Sequence, residues 1–225
     1  MREALFAVAL GTIACGPQPA MDPLVKAVPD AAVAEIDAAP TGPGDPTPDA
    51  APAPTQGNAY PSGPYGKKKG SVIADLSWMG YAHGVSDAEP RRIYLHEYFS
   101  GNDPDAKIIQ IAYGAGWCPA CIDEASQLPS IEPAYEAKGV RFLDVLFEDD
   151  NSNRATTAYA KTWAEMFNLD SAVLADDTYS LDPYDSGGSV PLNLFIDART
   201  MTILDKENGF DLPDEEQTLD YYLAQ

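Results

Sequence analysis

Gly116-Trp117-Cys118-Pro119-Ala120-Cys121 decides the reading of this chain. Two thiols stand two residues apart directly after an apolar run, Ile108-Ile109-Gln110-Ile111-Ala112-Tyr113, so the pair falls where a buried strand gives way to a helix. That spacing brings both sulfurs within disulfide reach at a helix's first turn, where free N–H groups and the backbone dipole favour a thiolate. Such a dithiol does redox chemistry: the first cysteine is the nucleophile and the second resolves the mixed disulfide. Cys118 is therefore expected to be exposed and Cys121 turned inward.

Two blander readings stay open, a structural disulfide and half of a zinc site. The three cysteines, Cys15, Cys118 and Cys121, make no general disulfide framework. Structural zinc takes four ligands, usually from a second Cys pair or a closely spaced His pair. The two histidines, His83 and His96, stand thirteen residues apart and upstream of the thiols. No metal and no cofactor is expected.

Toward the amino terminus, Met1-Arg2-Glu3 precedes an apolar run of eleven residues, Ala4 to Ala14. A bilayer span takes about 20 residues, so the run suits the h-region of an export signal. Thr12-Ile13-Ala14-Cys15 resembles a bacterial lipoprotein signal, which implies lipidation at Cys15 and a periplasmic, membrane-anchored protein. The alternative is an ordinary cleaved signal peptide in which Cys15 is incidental. In both cases residues 1–15 are the signal and the protein is exported.

Residues 16–64 are rich in Ala, Pro and Asp and hold 12 of the chain's 20 prolines. A stretch of that composition cannot bury enough apolar surface to offset its ordering entropy, and it reads as a disordered tether. Residues 65–225 have the length of one domain with a full core. From Tyr60 onward, 28 acids face 12 bases, a net charge of −16, so the acidity belongs to the folded part. A nucleic-acid partner and an anionic membrane surface are thereby disfavoured, leaving membrane attachment to the lipid anchor alone.

Within the domain, Ser71 to Leu76 is expected as an opening strand, followed by a loop carrying Gly80 and Gly84. Lys107 to Tyr113 is expected as a central strand. Cys118 to Lys138 should be helical, broken by Pro129 and Pro133 and ended by Gly139. Val140 to Phe147 is a second buried strand. A helix capped by Asn151 or Ser152 runs to about Phe167, with Ala155, Tyr159, Trp163, Met166 and Phe167 near one face. Ala172 to Asp176 is a short strand, and Leu192 to Asp197 forms a hairpin with Met201 to Leu204. A closing helix starts near Pro213, with Asp214, Glu215 and Glu216 at its positive end. The order β-α-β-α-β-β-β-α demands parallel strands first and a hairpin last, an α/β fold with a mixed sheet.

That order, with Trp117-Cys118-Pro119-Ala120-Cys121 at the first strand-helix turn and Val190-Pro191 opening the hairpin, resembles the thioredoxin fold. More narrowly it resembles the exported TlpA/ResA-like (redoxin) branch, over about Gly70 to Leu223. The resemblance implies a three-layer fold with helices on both faces of a central mixed sheet. It also implies an extra helix-strand insertion, about Ser152 to Asp176, before a cis-proline at Pro191. It further implies that Trp117, Val190 and Pro191 hold the substrate strand beside Cys118, and that Glu124 manages the proton of Cys121. The residues alone leave Glu124 open to a second reading as a solvated helix carboxylate, with Asp123 pointing away from the site. Thioredoxin itself carries a buried acid six residues before the first cysteine, where this chain has Ala112. A bulky aromatic is usual in the family where this chain has Gly114, which suggests open space behind the dithiol.

The implied activity is thiol-disulfide exchange on other exported proteins, with an unidentified redox partner. A peroxidase is the alternative enzyme, although Ala115-Gly116-Trp117 stands where peroxide-reducing relatives carry a Thr-x-x-Cys context. Outside enzymes, the alternatives are a copper chaperone, for which no histidine follows His96, and an assembly module with a vestigial dithiol.

Overall fold

The computed structural model describes residues 59–225; the expected signal, Cys15 and the expected tether up to residue 58 lie outside the described residues. Seven strands form one sheet: β1 (Ser77–Tyr81), β2 (Arg91–Tyr94), β3 (Ile108–Ala115), β4 (Val140–Glu148), β5 (Ala172–Ala175), β6 (Leu192–Asp197) and β7 (Thr202–Asn208). Their spatial order is β2-β1-β5-β4-β3-β6-β7. The β3-β4 and β4-β5 pairs are parallel, and the four remaining pairs are antiparallel. Among the described residues four α-helices accompany the sheet: α1 (Pro119–Gln127), α2 (Glu132–Glu136), α3 (Thr157–Phe167) and α4 (Leu212–Leu223). This is the mixed α/β arrangement of the thioredoxin-like fold.

All eight residues of β3 are buried, as a strand covered on both faces requires. Its odd-numbered side chains, Ile109, Ile111 and Tyr113, join a core with Leu143, Val145, Leu194 and Ile196. That face is closed by the amino-terminal segment and by two short 3-10 helices, Leu95–Tyr98 and Asp182–Tyr184. The helices α1 to α4 lie over the opposite face, where Phe142 and Phe195 meet Leu128, Tyr135 and Leu219. Leu146 packs there against Trp163 and Ala125.

Breaks in the long helical stretch fall where the prolines stand. α1 gives way to a 3-10 turn at Leu128–Ser130, α2 follows, and Gly139 leaves the helix with φ +104°. Two elements depart from expectation at their starts. The first true strand is β1 at Ser77–Tyr81 rather than residues 71–76, whose Val72 makes only isolated bridges with Tyr65 and Thr202. Gly80 lies inside β1 because that strand runs tight against β5; a Cβ there would stand 2.8 Å from the Leu174 Cα. Helix α3 begins at Thr157, capped by the Thr156 hydroxyl, which accepts from the Tyr159 N–H at 3.2 Å. Asn151 and Asn153 are instead used in a turn, donating their backbone N–H groups to the Asp149 carboxylate. Met166, expected on the apolar face of α3, is 63% exposed. At the described amino end, Tyr60 packs on Phe99 and donates its hydroxyl to the Ile73 carbonyl at 3.0 Å.

No helix among the described residues is long and apolar enough to cross a membrane.

Candidate active site

Strand β3 delivers the dithiol. Past Ala115 the chain turns sharply, with the Gly116 N–H donating to the Glu148 carbonyl and the Cys118 N–H to the Ala115 carbonyl. Cys118 is the N-cap of α1, and Pro119 takes the first helical position, where a missing N–H costs nothing. The Cys121 N–H donates to the Cys118 sulfur at 3.1 Å, so an orphan donor of the helix start is aimed at the candidate nucleophile. The two cysteines form a disulfide with Cα atoms 5.2 Å apart.

The expected contrast in exposure is not present: Cys118 is 3% and Cys121 4% exposed. Val190 and Phe147, both partly buried, pack against the cluster that the pair forms with Ala115. The Val190–Pro191 peptide bond is cis, and the Val190 carbonyl oxygen lies 3.5 Å from Cys118 Sγ. Pro191 itself is buried. Thus Trp117, Cys118, Cys121, Val190 and Pro191 lie together at the start of α1.

Trp117 is 43% exposed and stands at the rim. Its indole Nε1–H donates to Glu148 Oε2 at 2.7 Å, and the Tyr179 hydroxyl donates to the other oxygen of the same carboxylate at 3.0 Å. Phe147 makes tilted ring contacts with Tyr113 at 4.8 Å and with Tyr179 at 5.7 Å, centroid to centroid. Tyr113, Trp117, Phe147, Asp182, Asp185 and Val190 line an open groove of about 380 Å³ beside the disulfide. Sequence reasoning missed Glu148, Phe147 and Tyr179, and the one available signal was that Phe147 and Glu148 end the strand next to β3.

Glu124 is 2% exposed, so it is not a solvated carboxylate, whereas Asp123 beside it is exposed. It sits one helical turn beyond Cys121 on the buried face of α1. Burial, then the nearby Glu215 and Asp144 carboxyls, push its pKa well above the usual carboxylate range, against a smaller lowering by the Asn193 side chain. A buried acid stands one strand over from Ala112. Ala112 of β3 pairs in register with Asp144 of β4, and Asp144 is 7% exposed. Its Oδ2 accepts from the Trp163 indole at 2.8 Å, and burial raises its pKa to about 7.

Gly114 does not open a space behind the dithiol. A Cβ there would stand 2.9 Å from Cys121 Sγ, so the space an aromatic would need is filled by the sulfur. Among the described residues no group of three or more His, Cys, Asp or Glu side chains is placed to hold a metal ion.

The site is a buried disulfide at a helix start with a cis-proline beside it, on a thioredoxin-like sheet. Compared by sequence, no family model and no curated protein matches the chain. Compared by structure, the chain is similar to a Chlorobium tepidum protein assigned as the thiol:disulfide interchange protein DsbE, with TM-score 0.54 and 19% identity, over 69% of this chain and 98% of that one. It is also similar to a thiol:disulfide interchange protein from Bacteroides sp., with TM-score 0.50 and 18% identity, over 70% and 91%. Peroxidoxin BcpB from Mycobacterium tuberculosis is similar with TM-score 0.51 and 16% identity, over 70% and 96%. The fold is thioredoxin-like.

Proposed function

We propose that this protein is an exported thiol-disulfide oxidoreductase that reduces or exchanges disulfides of other exported proteins. The observation that carries the reading is the Cys118–Cys121 disulfide at the start of α1, with the Val190 carbonyl 3.5 Å from the Cys118 sulfur. In the reducing direction the Cys118 thiolate attacks a substrate disulfide, forming a mixed disulfide and expelling one substrate thiolate. Cys121 gives up its proton to the Glu124 carboxylate and attacks Cys118 Sγ. The internal disulfide re-forms, the second substrate sulfur leaves, and two electrons have passed to the substrate. A redox partner restores the dithiol. Oxidation of a substrate dithiol is the same path reversed, and there Glu124 enters as the acid.

The free backbone groups of Val190, next to a residue with no N–H, suit pairing with an extended substrate segment, while Trp117 and Phe147 supply an apolar rim. Residues 1–15 support export and Cys15 a lipid anchor at a bacterial membrane. The likeness to thiol:disulfide interchange proteins agrees with this reading.

Turnover of insulin disulfides tests it: activity with dithiothreitol as donor is expected for the wild type, and none for Cys118→Ser. Catalysed peroxide consumption without insulin reduction would favour the second reading, a thiol peroxidase, which the likeness to a peroxidoxin supports. No turnover in either assay would return the dithiol to a structural disulfide.

A further inference from the structure

Beneath the dithiol lies a polar layer that exchange at the sulfurs does not by itself require. Gln110 of β3, Asn193 of β6, Asp144 of β4, Glu124 of α1 and Glu215 of α4 are all buried between the sheet and the helices. Gln110 Nε2 donates to Asn193 Oδ1 at 2.6 Å. The Asn193 side chain faces the Glu124 carboxyl, and the Gln110 side chain faces that of Glu215.

Among the described residues, the buried side-chain atoms without a hydrogen-bond partner are Gln110 Oε1, Glu124 Oε1 and Glu215 Oε1, and all three belong to this layer. Three acceptors of this layer are thus left without a donor. An ionised carboxylate would deepen that deficit, whereas a neutral carboxyl brings its own O–H. The charges acting on Glu124 are Glu215 and Asp144, and the charge acting on Glu215 is Glu207 of β7; no lysine or arginine is among them. Burial, then Glu207, raises Glu215 to about 8, partly offset by Gln110. Glu207 is half-buried at the layer's edge and accepts from the Thr218 hydroxyl of α4 at 3.2 Å.

We propose that Glu215 is a positioning residue of the dithiol site: with Glu124 it forms a buried carboxyl pair that holds the proton exchanged with Cys121, and Glu207 links the pair to solvent. The inference rests on reading Cys118–Cys121 as a redox couple. When an incoming thiolate attacks, its sulfur bonds to Cys118 Sγ and the Cys118–Cys121 bond breaks, its electron pair leaving on Cys121. Cys121 takes the Glu124 proton and becomes a thiol. Glu124 and Glu215 then share the pair's one remaining proton, and Glu207 gives that pair its contact with water. On closure the same proton returns from Cys121 to Glu124.

The test is stopped-flow opening of the oxidised protein by dithiothreitol from pH 6 to pH 10, with each rate divided by the reagent's thiolate fraction. In the wild type the corrected rate should hold steady and fall once Glu124 ionises. Glu215→Gln removes the negative charge that keeps Glu124 protonated, so the fall should move about one pH unit lower, with rates up to about tenfold slower in between and unchanged at pH 6. Glu124→Gln should be slow even at pH 6. A Glu215→Gln profile that superimposes on the wild type would overturn the inference and leave the redox reading intact. A bond that dithiothreitol does not open at all would overturn both. Should Glu215→Gln not fold, infrared difference spectra of the wild type decide: loss of a protonated-carboxyl band on reduction is expected, and an unchanged band overturns the proposal.

Discussion

Cys121 and Gly114 are in such close contact that the strand backbone forms the floor under the sulfur: a Cβ on Gly114 would meet Cys121 Sγ at 2.9 Å and Cys121 Cβ at 3.1 Å. A disulfide sulfur cannot swing away as the end of a long side chain can. Gly114→Ala should therefore destabilise the oxidised protein by about 1 to 3 kcal/mol, the usual cost of overpacking, and the reduced protein by less. Denaturant midpoints of the two redox forms measure the difference, and equal losses in both would refute the contact argument.

Cys121→Ser should trap a mixed disulfide through Cys118 when offered a protein disulfide, because attack can occur and resolution cannot. Mass spectrometry of the trapped adduct identifies the sulfur. Adducts that form through Cys121 in the Cys118→Ser protein, and not the reverse, would exchange the two roles.

Stability should fall from acid to neutral pH. Asp144 is raised from 3.8 to about 7 and Glu215 from 4.5 to about 8, so the folded state binds protons that the unfolded chain has released. Unfolding then releases protons between about pH 4 and pH 8, and stability declines as pH rises through that window. Asp144 alone accounts for about 2 kcal/mol between pH 5 and pH 7. Asp144→Asn, which keeps an acceptor for the Trp163 indole, should flatten the slope by about that amount. Thermal unfolding at a series of pH values reads it.

Glu148 holds both Trp117 and Tyr179, so Glu148→Ala should free the indole at the groove's rim. A red-shifted Trp117 emission is expected, with KM for a protein disulfide raised several-fold and kcat changed less. A fall confined to kcat would place Glu148 in the chemistry instead of the groove.

Cys15 should carry lipid in the mature chain. Intact-mass analysis of membrane-extracted protein reads the modification, and a mature chain with an unmodified amino terminus elsewhere would favour an ordinary signal peptide.

Much of this fold is readable in the chain because its central strands are dense apolar runs and its helix breaks are marked by proline and glycine. Ile108 to Tyr113, Val140 to Phe147, Pro129, Pro133 and Gly139 carry local signals strong enough to survive tertiary context. The strand at Ser77–Tyr81 does not: its glycine answers a close approach by β5, which only the assembled sheet reveals. The start of α3 was hidden because Asn151 and Ser152 offer capping groups as good as those of Thr156. Glu215 misled in a different way. In sequence, Asp214-Glu215-Glu216 is a run of acids complementing a helix dipole, yet a single residue's step of about 100° around the helix separates outward from inward, and Glu215 is buried while Asp214 is exposed. Gln110, Asn193 and Asp144 each look like an isolated polar residue in an apolar strand, and nothing short of the sheet register brings them together.

The register of Ala112 with Asp144 bears on how such sites can drift over evolutionary time. An acid beneath a helix is defined by depth and face, and neighbouring strands of a parallel pair offer equivalent perches at the same depth. A lineage can thus lose the group from one strand and gain it on the next while the pocket changes little. Column-by-column comparison would score two unrelated substitutions, an alanine for an acid and an acid for some other core residue. Comparison by face of the sheet would score a single sideways move.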